Sequence, residues 1–169
     1  MSLRRFITPR TMAIVILIVS LATLSGAWFI ELVLGIKPCH LCLIGRMPHY
    51  AGIAVALLTV FLTNRPSPSR LIGRLLLAML TLIFLLGTGI AIYHSGVEFG
   101  LFQGPTDCTG AIEKPVAIQD FLKQLETVKV VRCDEVAMRI FGLSLASWNA
   151  VISLALAGVA GIGALGGRQ

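Results

Sequence analysis

Four long stretches of this chain lack charge or nearly so, and their lengths limit the possible folds more than any other feature. They are residues 12–30, 47–62, 75–93 and 140–165. At about 1.5 Å of rise per residue, a 19-residue helix is about 28 Å long, close to the thickness of a bilayer's hydrocarbon core. The second stretch is short for a span, so its helix is expected to begin earlier, among residues 41–44. The first is too long for a signal-peptide core of about 7–15 residues, and no clear A-x-A-like cleavage site follows it, so it reads as a retained helix. Composition agrees: of 169 residues 56% are hydrophobic and 13% charged, with a mean hydropathy of +0.89. A soluble domain holds about 45–50% apolar and about 25% charged residues. These figures exclude a disordered chain, a collagen and a coiled coil. They predict an all-α membrane protein: one four-transmembrane-helix bundle over 1–169, with helices at about 11–34, 42–63, 71–94 and 140–165 and loops at about 35–46 and 95–139.

Charge then orients the bundle. Four spans put both termini and the 64–70 turn on one side, with Arg4, Arg5, Arg10, Arg65, Arg70, Arg74 and Arg168 and no acid. The other side carries seven cations and all eight acids, so the balance is +7 against −1. The positive-inside rule predicts cytoplasmic termini and two outer loops. No stripe of interleaved aromatic and basic residues supports nucleic-acid binding, so the net charge of +6 reports topology. Ala157 and Gly161 form a small-xxx-small pair, and Gly87 and Gly89 thin the third helix where backbones could approach closely. The 64–70 turn, with two prolines, is a compact breaker. Neither an internal repeat nor a transporter-like pair of broken helices is visible.

All four cysteines fall in the outer loops. Cys39 and Cys42 stand in Pro38-Cys39-His40-Leu41-Cys42, while Cys108 and Cys133 lie in the second loop. An even count on the oxidising face of a membrane favours disulfides over free thiols. For Cys108 and Cys133, with 24 residues between them, a structural staple and a redox pair remain open. For Cys39 and Cys42 a staple explains little, because so small a ring removes little chain entropy, and C-x-x-C is the spacing that redox exchange uses. Covalent haem attachment would need His directly after the second Cys, where Leu43 stands. A four-cysteine zinc site would show two close pairs, although His40 offers a spare ligand.

Arg46 follows Cys42 by four positions, so a helix starting near Cys42 sets both on one face. A cation and a helix N-terminus there would favour a Cys42 thiolate; an arginine snorkelling to the interface is the other reading. Pro48 marks either a first turn or a kink. His94 ends the third hydrophobic run, and Glu98 follows four residues on. The pair reads either as a polar site able to bind a quinone carbonyl or handle its protons, or as a water-capped helix end. Ile118, Phe121, Leu122, Leu125 and Val128 recur at near-helical spacing, which predicts a short amphipathic helix on the outer membrane surface or packed on the loop.

These residues carry a resemblance. The four spans, the Pro38–Cys42 motif with Arg46, and Tyr93-His94-Ser95-Gly96-Val97-Glu98 resemble the disulfide bond formation protein B (DsbB) family. So do Gly104-Pro105-Thr106-Asp107-Cys108-Thr109-Gly110, Arg132-Cys133-Asp134-Glu135-Val136, Phe141-Gly142-Leu143-Ser144-Leu145 and Ser147-Trp148-Asn149. The resemblance covers nearly the whole chain. It implies a quinone-dependent thiol oxidase of the bacterial inner membrane with periplasmic loops. Redox-active disulfides Cys39–Cys42 and Cys108–Cys133 are implied, as is a DsbA-like periplasmic thiol oxidase as partner. Ubiquinone, or menaquinone, drawn from the membrane pool would be the cofactor. Cys108 would receive the partner's attack, Cys133 would exchange with Cys39, and Cys42 would be left as thiolate beside Arg46, with His94 and Glu98 near the quinone. The Glu98 position is often Gln in the best-known branch. Reductases like those of vitamin K epoxide carry their C-x-x-C late in the chain, whereas here it opens the second helix. The alternative from another class is a non-enzymatic four-helix scaffold with structural disulfides.

Overall fold

The computed structural model describes residues 8–64, 69–105 and 132–166. Cys108 and the expected amphipathic helix of the second loop lie outside the described residues, as does most of the 64–70 turn. The four spans form long helices: α1 (Pro9–Leu32), α2 (His40–Thr63), α3 (Arg70–Glu98) and, after a two-strand hairpin, α4 (Leu145–Leu165). Each is long and apolar enough to cross a membrane. Helices are the economical solution there, because every interior backbone amide finds its acceptor within the segment. Each starts on a side-chain cap: Thr8 for α1, with Pro9 in the first turn, Cys39 for α2, Ser69 for α3 and Ser144 for α4.

The first helix lies two residues earlier than the expected 11–34, and three other helix ends differ from the sequence expectation, each for a local reason. The second helix begins at His40, because the sulfur of Cys39 accepts the Cys42 amide at 3.2 Å. The third runs one turn past His94 to Glu98. It is closed by Gly100, whose φ of +71° is left-handed, and by the Leu101 amide donating to the Gly96 carbonyl at 2.8 Å. The fourth starts at Leu145, not at 140. Residues 139–144 instead make a hairpin of β1 (Arg139–Ile140) and β2 (Leu143–Ser144), with Ile140 opposite Leu143. Phe141 and Gly142 both have positive φ, +51° and +84°, the mirror-image turn that suits a two-residue hairpin. The Trp148 indole ties the hairpin to α4 by donating to the Ile140 carbonyl at 2.9 Å.

The most extensive interface joins α3 to α4, while α1 packs on α2 and α2 on α3. Ile16, Leu77, Leu80, Phe84, Leu156 and Ala160 form the core of the bundle. Outside it, leucines such as Leu82, Leu86 and Leu154 stand exposed around the helices. In water so broad an apolar belt would be a liability; in lipid it is the required surface. Arg74, from the basic side, donates to the Ala164 carbonyl at 2.9 Å and satisfies an acceptor in the last turn of α4.

Pro48 lies inside α2 as a buried residue, and the helix continues past it. Its ring packs on Gly87, where an added Cβ would stand 2.9 Å from Pro48 Cβ. Gly89 meets nothing within 4 Å. Of the expected close-approach residues, Gly87 makes the contact. Gly163 packs under Leu77 and Met12, more tightly than Gly161 packs on Thr81. Gly87→Ala should therefore destabilise the bundle by about 1–3 kcal/mol through overpacking, read as a lower unfolding midpoint in detergent. Gly89→Ala should not; equal effects would mean that the contact with Pro48 is not what restricts position 87.

Candidate functional site

The site assembles where α2 begins and α3 ends. Capping α2 turns the Cys39 sulfur inward, and it donates to Cys42 Sγ at 2.9 Å. Both are thiols in this structure. His94 Nε2 lies 3.7 Å from Cys39 Sγ on the other side. Cys39, Leu41, Val97 and Cys133 form a small buried cluster against which Cys42 and Ile44 pack. The first C-x-x-C and Cys133 of the second loop are thus packed together. The Cys39 thiol is pushed up to about 12, first by the hydrogen bond it gives Cys42 and then by burial. It keeps its proton, and Cys42 is the acceptor of the pair.

A cavity of about 360 Å³ opens beside this cluster, lined by α1, α2 and α4 together with His94 of α3 and Ile140 of the hairpin. Its wall is mostly apolar, with Leu24, Ile30, Leu41 and Ile152 among the residues, and Arg46, His49, His94 and Asn149 supply polar groups. Cys42 lines it, while Cys39 does not. The two sulfurs therefore have different neighbours: Cys39 packs with Cys133, and Cys42 faces the cavity. A cavity of this size and character, apolar with a few convergent polar groups, suits a small organic ligand.

Arg46 lines the cavity on the same helix as Cys42, one turn on, but its guanidinium is engaged elsewhere. Nη1 donates to Glu31 Oε2 at 2.6 Å, Nη2 reaches the Ala27 carbonyl at 3.5 Å, and the group lies 5.7 Å from the centre of the Trp28 ring. The sequence reading gave Arg46 the task of favouring a Cys42 thiolate. The structure adds Glu31, which shares that positive charge. Glu98 lies within 4.0 Å of His94 through Oε1, with both side chains more than nine-tenths buried. It sits one turn beyond His94 and is not part of the cavity wall. His40, the spare ligand suggested by the sequence, is exposed, and His94 is the histidine beside the sulfurs.

His49 and Asn149 were not singled out for the site, although Asn149 stands in one of the recognised motifs. Asn149 Nδ2 donates to the Gly45 carbonyl at 3.4 Å, which turns Oδ1 toward His49 Nε2 at 3.0 Å. A buried histidine within a membrane helix is the signal that could have found this pair. Its partner, 100 residues away, is visible only in three dimensions.

The family model described as "Disulfide bond formation protein DsbB" matches residues 9–163. The chain is 28% identical over 150 residues to disulfide bond formation protein B of Marinobacter nauticus (strain ATCC 700491 / DSM 11845 / VT8), covering 85% of this chain and 84% of that protein. It is 24% identical over 149 residues to the uncharacterised protein RP370 of Rickettsia prowazekii (strain Madrid E), covering 87% of this chain and 83% of the relative. No solved structure matches it. With four apolar helices, a paired C-x-x-C at the head of the second and a family match over nearly its whole length, the chain belongs to the DsbB family of disulfide-bond-forming membrane proteins.

Proposed function

We propose that this protein reoxidises a DsbA-like periplasmic thiol oxidase and passes the electrons to a membrane quinone. The observation that carries the reading is the division of labour at the C-x-x-C pair: Cys39 packs against Cys133, and Cys42 lines the apolar cavity. The reduced partner attacks Cys108, breaking a Cys108–Cys133 disulfide and ending with its own disulfide formed. The freed Cys133 sulfur attacks Cys39 of the Cys39–Cys42 disulfide, and Cys42 departs as thiolate. Cys108 then displaces Cys39, so the second-loop disulfide is restored and two electrons rest on the first pair. Each exchange requires an attacking thiolate and a good leaving sulfur. When bound, the quinone supplies the oxidising potential by accepting two electrons and two protons. Arg46 and His94, on the cavity wall, are the groups that would hold its oxygens. Arg46 stands one turn after Cys42 on the same helix, and Glu31 positions its guanidinium. The termini are assigned to the cytoplasm and the cysteines to the periplasmic side of a bacterial inner membrane, from the arginine distribution.

In detergent, with a reduced thioredoxin-like oxidase and ubiquinone, Cys42→Ser should abolish quinone reduction in a folded protein. Turnover retained in that variant would reject the assignment. Arg46→Ala should lower quinone reduction at least tenfold, about 1.4 kcal/mol, while leaving the mixed disulfide with the partner intact. Glu31→Gln should cost far less, since the cation survives; a loss equal to that of Arg46→Ala would transfer the role to the ion pair. The raised Cys39 pKa gives a third test on the reduced protein. Below about pH 12 the thiol form dominates at Cys39, so its alkylation should be slow at pH 7 and rise roughly tenfold per pH unit. Rapid, pH-independent alkylation of Cys39 near neutrality would contradict it.

A further inference from the structure

The donor atoms of Cys39, Cys42 and His94 all lie within 4.8 Å of one another, the only such group of three or more among the described residues. Two thiol sulfurs and an imidazole nitrogen are the ligand types that zinc selects, whereas magnesium and calcium prefer oxygen. Spacing is close to what the ion needs. Zinc–sulfur bonds of about 2.3 Å and zinc–nitrogen bonds of about 2.0 Å at tetrahedral angles put sulfur and nitrogen about 3.5 Å apart and the two sulfurs about 3.8 Å apart. The Cys39–His94 separation is 3.7 Å, and the 2.9 Å between the sulfurs would open by about an ångström.

A second observation comes from Glu98. Its Oε1 lies 4.0 Å from the same His94 nitrogen, and its other oxygen, Oε2, is buried with no hydrogen-bond partner among the described residues. A carboxylate more than nine-tenths buried with an oxygen left unsatisfied is costly unless something occupies that position part of the time. Glu98 stands outside the group of donors within 4.8 Å of one another, so to serve as fourth ligand beside His94 its carboxyl group must turn toward the sulfurs.

We propose that the dithiol form of this protein binds one zinc ion through Cys39, Cys42 and His94, with Glu98 as the fourth ligand. The proposal rests on the redox reading of the pair, because only its reduced state offers two thiols. Binding moves no electrons: two thiol protons leave to solvent as two zinc–sulfur bonds form. The bound metal occupies both sulfurs that must exchange, so it arrests the relay in its reduced state, and oxidation of the pair excludes it.

The test uses the full-length protein in detergent, reduced and desalted without oxygen, titrated with Co²⁺ as a spectroscopic probe and with Zn²⁺ against a chromophoric chelator. One equivalent should bind, with sulfur-to-cobalt charge-transfer bands and the intense visible bands of tetrahedral cobalt. A Cys108→Ser, Cys133→Ser background should retain this site, and the oxidised protein should lack it. Zinc affinity should fall at least tenfold in the near-isosteric Glu98→Gln and further in His94→Ala. Wild-type affinity in both variants, an octahedral spectrum without thiolate bands, or no binding would overturn the proposal. Quinone reduction by the chelator-treated wild type, measured on the same preparation, separates the two ideas. An active relay without metal binding removes the metal site alone, whereas metal binding with no relay rejects the redox assignment.

Discussion

The hydrogen bond from the Cys42 amide to the Cys39 sulfur is small, but the organisation of the site follows from it. A helix start has amides without intrahelical partners, and the side chain that caps them is held in one orientation. Here the cap is itself a reactive sulfur. Its inward turn brings Cys39 against Cys133 and His94, and one helical turn later Cys42 and Arg46 come to the cavity wall. Had α2 begun two residues later, as its apolar pattern suggested, neither sulfur would hold its place by backbone geometry.

Charge in this region is arranged in two pairs. Arg46 meets Glu31 across α1 and α2, and His94 meets Glu98 along α3. An ionisable group near the hydrocarbon boundary is expensive without a partner, and each of these has one. The pairs differ in their surroundings. Arg46 and Glu31 are 13% and 22% exposed, and Trp28 and Tyr50, joined by a 3.0 Å hydrogen bond, lie alongside. Glu98 has almost no solvent and a vacant acceptor oxygen. The first pair positions a cation, and the second sets a buried carboxyl group beside the histidine that neighbours Cys39.

Much of this was legible from residue order. Long uncharged runs identify spans because the bilayer leaves few alternatives, and C-x-x-C spacing is local, so Cys39, Cys42 and Arg46 announce themselves. The hairpin at residues 139–144 was hidden because Ile140, Phe141 and Leu143 read as a continuation of the apolar run, while the turn depends on backbone angles at Phe141 and Gly142. In the sequence Glu31 is one of eight acids on the outer side, and its role appears only with Arg46 opposite. His49 and Asn149 meet across 100 residues of chain, and no periodicity in one helix reports a partner on another. The cavity is a property of all four helices together.

Pro48 adds a mechanical consequence. Having no amide hydrogen, it leaves the Ile44 carbonyl, between Cys42 and Arg46 in the helix, without its usual helical donor. A helix missing one rung bends more cheaply than an intact one, while Gly87 clamps the proline ring itself against α3. The most easily bent point of α2 therefore lies between its sulfur-bearing end and the length packed into the core of the bundle.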